Sequence, residues 1–166
     1  MESLPSMWRA ELWHPMVVHF PIVLLLGAAT ARLFWHGFSS SRAGGVALTI
    51  SRVMLYVGLG FAWVAVYTGT IADGVVNRSM CDPTVLEAHE QAAFTLGYLF
   101  SAATVIDLLD LWGIRWSTSA LKQWAVTILL IGGSLYLGYT AHLGAKLVYQ
   151  QSAAVYQPTE GCTEFE

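Results

Sequence analysis

Four stretches of this 166-residue chain, 16–31, 53–72, 91–106 and 123–145, contain no Asp, Glu, Lys or Arg. A hydrocarbon core of about 30 Å takes about 20 helical residues to cross. Backbone amides inside it must bond within their own segment, which leaves helices as the form for isolated apolar runs. The first and third stretches reach that length once end-of-helix charges and flanking aromatics at Trp13, Phe34, Trp35, Trp112, Trp116 and Trp124 are allowed to sit at the membrane interface. The expectation is an all-α integral membrane four-helix bundle. Its approximate segments are 1–12 interfacial, then helices at 13–36, 50–73, 84–112 and 122–149, then an extracytoplasmic tail at 150–166.

Composition agrees, because the chain is 55% hydrophobic and 11% charged, whereas soluble domains carry about 25% charged residues. A net charge of −3 provides no basic field for nucleic acid. Glu2, Arg9 and Glu11 precede the first apolar run without a small-residue cleavage site, so that run reads as a retained helix rather than a secretory signal.

Pro15 suits a first helical turn, Pro21 lies inside the first helix and should bend it, and Thr84 with Glu87 reads as a capping box. Asp73, Asp107 and Asp110 fall near helix ends and read as solvated caps or loop charges. Arg32, Arg42, Arg52, Arg115 and Lys122 flank one side of the threaded helices, against Arg9, Arg78 and Lys146 on the other. The positive-inside rule then puts both termini outside the cytoplasm, in what reads as a bacterial inner membrane. Cys81 and Cys162 share that outer side, where a disulfide between them is a candidate. GAAT at 27–30 echoes SAAT at 101–104, and YTG at 67–69 echoes YTA at 139–141. Offsets of about 72 to 74 suggest two related helical hairpins.

Threading brings His14, His19, His89 and His142 toward the outer end and His36 toward the other. Histidines within a membrane bundle face its interior, a partner or a wet cavity, because a bare polar group in hydrocarbon costs several kcal/mol. Imidazole is the usual axial ligand of heme, and a pair from facing helices can hold iron from both sides. By depth, His19 and His142 are the first-choice axial pair, with His14 and His89 a second site, for one or two hemes b. His14 and His19 point about 140° apart on an ideal helix, so one heme cannot easily use both. Gly58, Gly60 and Gly69 with Gly132, Gly133, Gly138 and Gly144 could admit a porphyrin or simply pack helices closely. Copper or zinc is a weaker alternative, since the cysteines lack paired ligand spacing. Interhelical hydrogen bonds account for the same histidines without any cofactor.

LWHPMVVHFPI at 12–22 and AHLGAKLVY at 141–149 resemble the opening and closing motifs of the membrane family catalogued as domain of unknown function 2231. The resemblance covers nearly the whole chain and implies a four-helix bundle in redox company, with His14 and His19 as motif histidines. After LVY the family has a basic or histidine-containing, glycine-rich turn, where this chain has Gln150, Gln151, Ser152 and Ala153. The expected function is a heme b subunit passing electrons between an extracytoplasmic redox partner and the quinone pool or a larger complex, an accessory role rather than that of a stand-alone enzyme. A structural membrane subunit is the alternative, and a small transporter a more distant one.

Overall fold

The computed structural model describes residues 6–80, 82–114 and 118–155. A 3-10 turn at Ala10–Leu12 leads into α1 (Trp13–Val17), followed by α2 (His19–Gly37), α3 (Arg42–Val76), α4 (Pro83–Leu111) and α5 (Ser119–Gln151). Counting Ala10–Gly37 as one membrane segment, four helices are long and apolar enough to cross a bilayer. The chain is an all-helical integral membrane protein. Side chains such as Val23, Ile128 and Leu135 point outward because lipid, not water, is their solvent.

Local chemistry explains where the helices start and break. Pro21 has no N–H to give Val17, and its ring crowds that carbonyl. The first segment is interrupted at Val18, between α1 and α2, while Ile22 still reaches the Val18 carbonyl. Ser41 starts α3 by accepting from the Gly44 N–H, so this helix begins well before position 50. Asp82, not Thr84, is the N-cap of α4: it accepts the Thr84 N–H and hydroxyl, with Pro83 in the first turn. Glu87 accepts from Gln91 instead of closing a capping box.

The helices form a ring in which α2 packs on α3 and α5, and α4 packs on the same two. Leu25, Ala28, Leu55, Phe100, Ala103, Val126 and Leu130 fill its centre. Two hairpins, α1 to α3 and α4 to α5, make equivalent contacts. His14 bonds a carbonyl 51 residues ahead, and so does His89. A methyl on Gly58 would meet Leu25, and one on Gly133 would meet Phe100; on Gly69 it would meet His14, and on Gly144 His89. Each second-hairpin residue follows its counterpart by 75 positions, the separation that also joins Arg32 to Asp107. The short sequence echoes, at 72 and 74, are therefore out of the structural register.

Candidate functional site

The bundle has a polar layer toward each end and an apolar plug between them. In one layer, His14 and His89 bring their ring centres within 6.0 Å, with planes 82° apart. His14 Nδ1 donates to the Ala65 carbonyl at 2.9 Å, and His89 Nδ1 donates to the Thr140 carbonyl at 3.1 Å. A carbonyl can only accept, so each Nδ1 carries hydrogen and the neutral ring keeps a lone pair on Nε2. Two such lone pairs cannot hydrogen-bond to each other. The pair is chemically suited to something that accepts electron pairs or donates hydrogen.

Glycine makes this arrangement possible. A Cβ on Gly69 would stand 3.2 Å from the His14 Cε1, and one on Gly144 would stand 3.3 Å from the His89 Cε1. Each ring thus lies against bare helix backbone one turn beyond the carbonyl it bonds. Gly58 seats Leu24 and Leu25, and Gly133 seats Phe100. These four glycines, candidates for porphyrin space from the sequence, are filled by side chains of the bundle itself. Beside Gly60, Gly132 and Gly138 the space is open.

The structure therefore brings together His14 and His89, while His19 and His142 are exposed on α2 and α5. His36, at the other end, stacks on Trp124 at 4.2 Å and bonds Thr127 Oγ1 at 2.8 Å. The Thr127 hydroxyl is already donated to Gln123, so His36 Nε2 is the donor. Cys81 and Cys162 lie outside the described residues.

The second polar layer corrects a sequence expectation. Asp107 is no solvated cap: it is 0% exposed and bonds Arg32, itself 1% exposed, at 3.1 Å. Its other oxygen accepts from Arg52 at 3.0 Å and from the Tyr56 hydroxyl at 2.6 Å. Asp110 pairs with Lys122 at 3.2 Å and accepts from Gln123. Three of the basic residues counted for orientation are thus built into the bundle. The signal was present in Arg32, Arg52 and Asp107, each set a turn or more inside an apolar helix, where an unpaired ion is costly.

Among the described residues no group of three or more His, Cys, Asp or Glu side chains could hold a metal ion. The histidine pair offers two protein donors. Neither a curated protein nor a solved structure matches the chain. The helical ring, its histidine layer and the HPMVVHFPI opening of its first membrane segment are found in a chain whose residues 12–157 match the model of the DUF2231 predicted membrane proteins, and the protein belongs to that family.

Proposed function

We propose that the protein is a heme b-binding membrane subunit, with His14 and His89 as the axial pair, that passes electrons between an extracytoplasmic partner and the quinone pool or a larger respiratory-type complex. The observation that carries this reading is the pair of imidazoles held 6.0 Å apart, each with Nδ1–H tied to a backbone carbonyl. A metal ion held between two imidazole nitrogens at about 2.0–2.1 Å from each would separate the ring centres by about 6.4 Å, so the rings would part by a few tenths of an ångström to hold one. The Nδ1–H bonds fix the tautomer and raise ligand basicity, as carbonyl partners of metal-bound histidines do. Heme needs two protein ligands because the macrocycle supplies the rest, which suits a two-donor site better than zinc or copper does. When bound, heme would supply the one-electron redox centre, and the chain's own residues orient the ligands and exclude water.

The filled seats at Gly69 and Gly144 favour a second reading, a structural subunit in which the histidines join helices. A reduced-minus-oxidised spectrum of the purified protein separates the two. Heme b bands that are lost or converted in both His14→Ala and His89→Ala support the first, and an intact, colourless, iron-free protein sinks it. The same reading keeps both termini on the extracytoplasmic side, to be checked by reagent accessibility in intact cells.

A further inference from the structure

The hydrogen bonds that join the two hairpins are spread unevenly along the bundle. At the inner end, Asp107 of α4 accepts from three side chains of the first hairpin, Arg32 at 3.1 Å, Arg52 at 3.0 Å and Tyr56 at 2.6 Å. His36 of α2 donates to Thr127 of α5 at 2.8 Å in the same layer. Further out, the seam between α3 and α4 is joined by the Trp63 indole. It lies over Gly97, donates to Ser101 at 3.2 Å and is in ring contact with Tyr98 at 5.7 Å and Phe94 at 6.3 Å.

The seam between α2 and α5 is not joined in this way. The separation of 75 that relates the hairpins puts Gly138 at the position of Trp63, Ile22 at that of Gly97 and Leu26 at that of Ser101, so neither the indole nor the hydroxyl has an equivalent. At the outer edge the Arg9 guanidinium reaches the Ala154 carbonyl at 3.5 Å, longer than an ordinary N–H···O bond. The histidine layer adds no bond across the bundle, because His14 and His89 each use their N–H on a carbonyl of their own hairpin. What each neutral ring then turns to the other hairpin is a lone pair, and two lone pairs do not bond. The two helices of each hairpin also pack on each other more extensively than on the other hairpin.

We propose that the two hairpins move as rigid bodies, hinged at the inner polar layer and along the seam between α3 and α4, and that the seam between α2 and α5 opens at its outer half as a lateral gate. Rotation of packed units about an interface is a common form of opening, and here the bonds sit on the hinge and are missing from the gate. Opening brings the Nε2 atoms of His14 and His89 within reach of a group arriving from the bilayer. That such a group is heme rests on the proposed function. The gate does not: it is read from helix separations without heme, whereas the heme reading is read from iron and absorbance.

The test measures distances between nitroxide pairs by pulsed electron paramagnetic resonance. It uses the full chain in nanodiscs, without added heme and with Cys81→Ser and Cys162→Ser. Labels at Met16 and His142 span the gate, and labels at Gln91 and Tyr67, their equivalents in the repeat, span the hinge seam; all four positions are exposed. Labels at the exposed Leu33 and Leu121 span the inner end of the gate seam. The Met16–His142 distribution is expected to be at least about twice as wide as the other two and to extend to longer distances. Trp63→Ala should widen the Gln91–Tyr67 distribution toward that of its equivalent. Equal widths at Met16–His142 and Gln91–Tyr67 overturn the gate, and so does a Leu33–Leu121 distribution as wide as the outer one, which would mark a bundle loose throughout. A Gln91–Tyr67 distribution unchanged in a folded Trp63→Ala protein overturns the hinge.

Discussion

Arg32 and Asp107 occupy the same position in the two hairpins and are bonded to each other at 3.1 Å, both buried, in the polar layer at one end of the bundle. A repeat that brought two copies of one residue together here would set Arg against Arg or Asp against Asp. The sequence breaks the symmetry with opposite charges, whereas in the other polar layer it keeps the identical pair His14 and His89. Arg52 and Tyr56, which complete the bonding of Asp107, come from the first hairpin, so the pair also fixes which hairpin supplies which half.

Removing one partner of a buried pair leaves an uncompensated charge, which costs about 3–5 kcal/mol. Asp107→Asn should therefore destabilise the protein strongly in detergent unfolding, since Arg32 then has no carboxylate. Arg52→Gln should cost less, because that side chain is 19% exposed and reaches polar surroundings. Equal, small losses in both variants would show that the layer is solvated.

The glycines sort by what a methyl would strike. Gly133→Ala drives a Cβ to 2.8 Å from Phe100 Cζ, inside a packed centre, and should cost about 1–3 kcal/mol by overpacking. Gly132→Ala and Gly60→Ala meet open space and should be neutral or stabilising by up to about 1 kcal/mol, because alanine is the better helix former. Thermal unfolding of the four-helix protein checks the order, and a reversed ranking would mean that the helices pack differently.

Asp82 caps α4 outside the membrane segments, and its hydrogen bonds from the Thr84 hydroxyl and N–H hold its carboxyl below the usual carboxylate range. A folded value below the unfolded one means that the cap contributes above the unfolded value and is lost as pH falls through the lowered folded one. Hydrogen exchange of the first turn of α4 should therefore be slow at neutral pH and lose protection on acidification. Asp82→Ala should exchange faster than the wild type at neutral pH and match it once acid has removed the cap, and a wild-type profile flat across the acidic range would show that Asp82 does not cap the helix.

The four helices were legible because charge-free runs of membrane length admit few other forms. Family membership was legible in HPMVVHFPI. The pairing of histidines was harder, because depth along a helix gives the rise of a residue but not the side it faces. His14 and His19 differ by a modest rise and a large rotation, and rise alone favoured His19. A signal existed in the equal spacing from His14 to Gly69 and from His89 to Gly144. It was hidden because GAAT and SAAT, built of small residues common in membrane helices, suggested a neighbouring register. Asp107 was misjudged for a related reason: nearness to a helix end says nothing of whether the side chain turns toward water or toward Arg32.

The last prediction uses the ring planes. His14 and His89 are equivalent in the repeat, so His14→Ala and His89→Ala should have the same effect, each converting a six-coordinate heme signal to a five-coordinate or water-ligated one. His36→Ala should leave it unchanged, since that ring is held by Trp124 and Thr127 in the other layer. The imidazole planes stand 82° apart, and perpendicular axial planes leave two iron d orbitals nearly degenerate. The oxidised protein should then give a low-spin electron paramagnetic resonance signal with one large, isolated g maximum, unlike the spread rhombic signal of parallel planes. Gly69→Ala and Gly144→Ala, which press on Cε1 of the two rings, should shift that maximum while heme content stays whole. A rhombic parallel-plane signal, or loss of heme in His19→Ala or His142→Ala instead, would move the axial pair away from His14 and His89.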